Sequence, residues 1–67
     1  MIMISVNGER REVADGTTVF DLVASMLGSS RGVAVSLDRE VVPKSSWSST
    51  LVRPGAQIEI LAAAAGG

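Results

Sequence analysis

The sequence predicts an α+β domain in which one short helix packs on a mixed β-sheet. Three observations predict it. Apolar residues alternate at both ends of the chain, one stretch of helical periodicity lies between them, and Gly-containing turn pairs separate the segments. A helix with a single apolar stripe must bury it, and the sheet is the surface available.

The elements follow in order. Ile2, Ile4 and Val6 alternate with Met3 and Ser5, which is the period of a strand. Asn7-Gly8 comes next, the strongest short hairpin signal, because both central positions of a type I′ turn need positive φ. Glu9 to Ala14 then reads as a more polar second strand anchored by Val13. After the turn at Asp15-Gly16, Thr18 and Asp21 have the spacing of a capping box, with Asp in place of the usual Glu. Val19, Leu22, Val23, Met26 and Leu27 fall on one helical face, and Phe20, one of two aromatics, is expected in or near the core. Asp21 suits the positive end of the helix dipole, and Gly28 supplies the stop. The helix should run for about two to three turns.

Ser29 to Arg31 reads as a loop and Gly32 to Leu37 as a strand, with Val33, Val35 and Leu37 facing the helix and Ala34 and Ser36 facing away. Asp38-Arg39 turns the chain into a short strand, Glu40 to Val42, which Pro43 ends. Lys44 to Thr50 is Ser-rich and reads as an irregular turn around Trp47. Arg53-Pro54-Gly55 is a further turn, and Gln57 to Leu61 alternates again, with Ile58 and Ile60 inward. The order ββαβββ is the layout of a β-grasp, or ubiquitin-like, roll. Residues 1–61 form this body, and residues 62–67 form an extended C-terminal tail, expected to be flexible.

Composition narrows the function. The chain has 67 residues, 46% of them apolar, and neither Cys nor His. One domain of this size buries only roughly 60% of the surface its unfolded chain exposes. It builds one core and not an enclosed catalytic cavity. Absence of Cys removes thiol nucleophiles, disulfides and thiolate metal sites, and absence of His removes the commonest general base. These absences argue against a free-standing enzyme. Six basic against seven acidic residues give no field for holding nucleic acid. The segment Met1 to Val6 is apolar but short and lacks a basic region before it, unlike a signal peptide. A soluble cytoplasmic domain is expected.

The tail reads Ala62-Ala63-Ala64-Ala65-Gly66-Gly67. Ala favours helix, but these four follow a strand and lack a cap, and too few are present to nucleate one. A frayed terminus is the plain alternative. A terminal Gly-Gly is the thinnest peptide available and reaches φ values closed to other residues. Six extended residues reach about 20 Å at ~3.3 Å each. Such a tail can thread a narrow cleft and present its carboxylate to another protein.

Several of these features together resemble one family. They are Gly16-Thr17-Thr18-Val19 with Leu22 and Val23, then Val33-Ala34-Val35, then Val41-Val42-Pro43-Lys44 with Trp47 just beyond. Pro54-Gly55, Gln57-Ile58-Glu59-Ile60 and Gly66-Gly67 complete the pattern. Over essentially its whole length the chain resembles the sulfur carrier family of thiamine biosynthesis, ThiS. It departs from the usual pattern at Asp38, where Asn is common, at Lys44, where Arg is usual, and at Ala56, where an acidic residue is common.

The resemblance implies a co-substrate and not an enzyme. A ThiF-type adenylating enzyme would activate the Gly67 carboxylate with ATP and Mg²⁺, which the carrier itself does not bind. A cysteine desulfurase or another sulfur donor would supply sulfur, and the resulting thiocarboxylate would pass it to a ThiG-type thiazole synthase. Gly66, Ala65 and Ala64 would be read in the enzyme's cleft, while Ala34, Ser36, Lys44 and Trp47 are candidates for a partner surface on the body. Two readings of Trp47 stand side by side, an anchor that pins the Ser-rich turn and a partner contact. Two other functions share the fold: the small subunit of molybdopterin synthase, carrying sulfur for dithiolene formation, and an interaction module without tail chemistry.

Overall fold

Asn7 and Gly8 both take positive φ, 52° and 84°, as the type I′ turn requires. They join strand β1 (Ile2–Val6) to β2 (Glu9–Val13) in an antiparallel hairpin whose register runs from Ile2 opposite Val13 to Val6 opposite Glu9. The computed structural model describes residues 1–28 and 31–62. The expected loop at Ser29-Ser30 and the tail residues 63–67 lie outside them.

Helix α1 (Val19–Leu27) begins where the capping residues place it. The Asp21 N–H donates to the Thr18 hydroxyl oxygen at 3.1 Å, and the Thr18 N–H donates to the Asp21 carboxylate at 3.1 Å. Gly28 closes the helix in the left-handed conformation, φ 70°, with its N–H donating to the Ala24 carbonyl. Thr18→Ala removes an acceptor from the first turn and is expected to lower stability by about 1 kcal/mol, read by urea denaturation. No change in midpoint would show that the box is ornamental.

Strands β3 (Val33–Leu37) and β4 (Glu40–Val42) form a second hairpin through Asp38 and Arg39, both at positive φ. The last strand, β5 (Gln57–Ala62), inserts between the hairpins, so the sheet order is β2-β1-β5-β3-β4. It runs parallel to β1 and antiparallel to β3. β5 extends one residue past the expected end, with Ala62 opposite Val33. Ala62 therefore belongs to the body and not to the tail. β2 is an edge strand carrying Glu9, Arg10, Arg11 and Glu12, charges that discourage pairing with a further strand.

The core lies between the sheet and α1. Ile4 and Val6 enter from β1, Val35 from β3, Ile58 and Ile60 from β5, and Val19, Leu22 and Val23 from the helix. Two expectations are corrected. Phe20 is half exposed at 50%, and Leu27 is 42% exposed. A helix advances about 100° per residue. Val19, Leu22, Val23 and Met26 cluster around one direction, and Phe20 and Leu27 both fall to its flank.

The Ser-rich stretch is also more regular than expected. Lys44–Ser49 is a 3₁₀ helix entered from Pro43, and Thr50 closes it with its hydroxyl donating to the Ser46 carbonyl at 2.7 Å. Beyond it, the Val19 N–H donates to the Thr50 carbonyl and the Val52 N–H donates to the Thr17 carbonyl, each at 2.9 Å. These bonds tie the segment to the start of α1 and bury Val52. No helix among the described residues is long and apolar enough to cross a membrane.

Candidate functional site

The tail leaves the body at the end of the central strand. Alternation along β5 turns Ile58 and Ile60 into the core and Glu59 and Leu61 to the opposite face of the sheet. On that outer face Ala34 sits directly opposite Leu61, and Ser36 sits opposite Glu59 on one side and Val41 on the other. Val41 and Leu61 are 76% and 71% exposed. Together with Ala34 they form an apolar patch at the root of the tail. A shallow depression of about 100 Å³ lies within it, lined by Ala34, Val35, Ser36, Val41, Glu59 and Leu61.

Of the expected partner-surface residues, Ala34 is exposed, Ser36 is half-buried and both face away from the helix. Lys44 is exposed at the start of the 3₁₀ helix. Trp47 is not a surface residue. It is 1% exposed and its indole N–H donates to the Val42 carbonyl at 2.9 Å. The anchor reading of Trp47 is the correct one, because a side chain with no accessible face cannot contact a partner. Gly67, Gly66, Ala65 and Ala64 lie outside the described residues.

The expectation of a partner surface omitted Val41 and Leu61, although parity could have found them. If Ile58 and Ile60 face inward, Leu61 faces outward, and it becomes informative as part of a contiguous patch with Val41 and Ala34.

A wider, open hollow of about 440 Å³ lies at the other end of β5, between Leu37, Asp38, Ser49, Thr50, Leu51 and Arg53. Asp38 accepts a hydrogen bond there from the Gln57 N–H at 2.9 Å. This hollow is at the start of the strand, and the tail leaves from its end. No cluster of carboxylates suited to a metal ion occurs among the described residues.

The main chain at the tail root is held from both sides. β3 pairs with β5 from Leu37 opposite Ile58 to Val33 opposite Ala62. On the β1 side the Asn7 carboxamide bonds Ile60 twice, accepting from its N–H at 2.8 Å and donating to its carbonyl at 3.2 Å.

Comparison with known proteins gives a consistent result. The ThiS family model matches residues 4–67. A thiazole synthase of Paramagnetospirillum magneticum is 40% identical over 62 residues, which cover 92% of this chain and 19% of that protein. The chain thus spans about a fifth of the length of that relative. The sulfur carrier protein ThiS of Escherichia coli is 29% identical over 66 residues, 98% of this chain and 100% of that one. The crystal structure of the thiamine biosynthesis protein ThiS from Geobacter metallireducens is similar with a TM-score of 0.83 at 28% identity, over 98% of this chain and 100% of that one. The solution structure of a thiamine biosynthesis protein from the same organism gives 0.81 at 28% identity, covering 98% and 88%.

Proposed function

The chain belongs to the ThiS family, and from that premise we propose that it carries sulfur for thiazole formation on the carboxylate of Gly67. The observation that carries this reading is the extent of the family match, which runs through both terminal glycines to residue 67.

A free carboxylate is a poor electrophile. In the proposed route an adenylating enzyme of the ThiF type lets a Gly67 oxygen attack the α-phosphorus of ATP, and pyrophosphate leaves. The terminal sulfur of a donor persulfide then attacks the acyl carbon and AMP departs, giving an acyl disulfide. A second thiol cleaves its S–S bond, is itself oxidised to a disulfide with the donor, and leaves the thiocarboxylate. Sulfur then passes to thiazole synthase. The carrier supplies no base, thiol or metal in any step. Its contribution is a narrow tail and a surface on which the enzyme can seat the body.

The apolar patch of Val41, Ala34 and Leu61 supports that second role, since it lies where the tail begins. Leu61→Glu or Val41→Glu places a charge in the patch while leaving the core intact. Either is expected to raise the KM of the carrier for the adenylating enzyme by about tenfold, in keeping with removal of about 1.4 kcal/mol of contact energy. Melting temperature should not move. An unchanged KM for both variants would show that the patch is not the seat.

Support for the thiazole direction comes from the relative in which a segment 40% identical to this chain forms part of a thiazole synthase. The test is to supply the ³⁵S-labelled thiocarboxylated chain to a thiazole synthase and to a molybdopterin synthase large subunit in parallel. Label is expected in the thiazole product. Label appearing only in a dithiolene would reject the thiazole assignment.

A further inference from the structure

We infer that Asn7 is a positioning residue for the tail, a role its place in a hairpin turn does not reveal. The inference rests on the reading of the tail as the reacting group. β1 stops at Val6 because Asn7-Gly8 turns the chain, yet β5 runs on to Ala62. The two strands pair at Ser5 opposite Gln57 and Val6 opposite Ile58, flanked by the Ser5 N–H donating to the Ala56 carbonyl at 2.9 Å and the Asn7 N–H donating to the Ile58 carbonyl at 2.8 Å. At the next step along β5 the β1 main chain has already turned away. There the Asn7 carboxamide takes the place of a peptide unit, accepting from the Ile60 N–H at 2.8 Å and donating to the Ile60 carbonyl at 3.2 Å.

The turn alone does not account for this side chain. Gly or Asp at the same position also accepts positive φ in a type I′ hairpin. Gly makes neither bond, and ionised Asp has no donor for the carbonyl. Asn is the residue that both takes φ 52° and offers a donor beside an acceptor. Its partner is 53 residues away in sequence, so the identity of residue 7 is explained by β5.

The consequence falls on the tail. Beyond Ile60 the register pairs of β5 are with β3 alone, Leu61 with Ala34 and Ala62 with Val33. Asn7 therefore sets the last point at which the strand is gripped from both sides. With the clamp gone, that point retreats to Ile58. Beyond it β5 is then held by β3 alone, and its end is set less firmly beside the patch formed by Leu61, Ala34 and Val41. An enzyme that must seat the patch and receive the tail together would find only a fraction of molecules ready, and apparent affinity falls by that fraction.

The experiment measures ATP–pyrophosphate exchange by the cognate adenylating enzyme as a function of carrier concentration. Asn7→Gly keeps the turn and removes both side-chain bonds. It is expected to raise KM by about fivefold, corresponding to one molecule in five being competent, with kcat unchanged. Asn7→Asp, a second variant that keeps the acceptor for the Ile60 N–H, is expected to raise KM by less. Val52→Ala, a core truncation remote from the tail root, serves as control: it should lower the melting temperature and leave KM alone. Wild-type KM in both Asn7 variants would overturn the inference, and so would an equal rise in Val52→Ala. Failure of the wild-type chain to support any exchange would instead overturn the carrier reading, and this inference with it.

Discussion

Replacing Trp47 by Ala is expected to leave most molecules unfolded at room temperature. The side chain is 1% exposed and sits in the core with Leu22, Val23 and Val42. Truncating a buried Trp costs ~3–5 kcal/mol. The Val42 carbonyl also loses the indole donor at 2.9 Å, and an unsatisfied buried acceptor adds about 1–3 kcal/mol. A domain of this length has a total stability of roughly 3–10 kcal/mol, so the two losses together are of the same size as the whole. Trp47→Phe separates them, since it keeps most of the ring and loses only the donor. Far-UV circular dichroism during urea unfolding reads both variants. A cooperative Trp47→Ala transition near the wild-type midpoint would show that the 3₁₀ segment is a satellite of the fold and not part of its core.

Deleting Gly67 should have the opposite profile. All the buried hydrophobic residues of the described core lie at or before Ile60, so the melting temperature is expected to stay where it is. Removing one residue moves the terminal carboxylate back by about 3.3–3.6 Å. A misplacement of about 1 Å in an active site can already cost ~100-fold, so adenylation in an exchange assay is expected to fall by at least about 100-fold. Gly67→Ala keeps the carboxylate near its place and adds one Cβ, and should lose less if the cleft has room. A deletion variant that exchanges like the wild type would mean that the enzyme does not read the end of the chain.

The parts of the fold that were legible in the sequence are those written in neighbouring residues. Asn7-Gly8, Thr18 with Asp21, and Gly28 each act within a few positions, and each hairpin, cap and stop is where the residues put it. The flank of the helix was less legible. Phe20 and Leu27 are apolar and lie on the flank of the buried stripe, and both remain exposed by about half. Val52 and Ala56 are buried although no local pattern marks them. They are held by main-chain bonds to Thr17 and Ser5 respectively, contacts made between distant segments. The insertion of β5 between β1 and β3 is of the same kind.

Legibility of the candidate site divides in the same way. The Gly66-Gly67 end is legible by composition as a thin peptide, and the chemistry proposed for it comes from the family resemblance. The surface beside it does not, because Val41 and Leu61 become neighbours only through pairing of β4, β3 and β5. Trp47 shows the converse. An aromatic in a Ser-rich stretch reads first as an anchor and second as a contact, and its burial and the bond to Val42 decide for the anchor. Asn7 reads as a turn residue because its second role reaches 53 positions along the chain.

In the proposed function, sulfur is carried on the carboxylate of Gly67. Its most direct test is the intact mass of the chain after incubation with ATP, Mg²⁺, the cognate adenylating enzyme and a sulfide source. The expected result is a rise equal to exchanging one oxygen for one sulfur, located by fragmentation in residue 67 and lost on treatment with a thiol-alkylating reagent that converts it to an adduct. An unaltered mass in the presence of an active adenylating enzyme, or a sulfur placed anywhere other than Gly67, would contradict it.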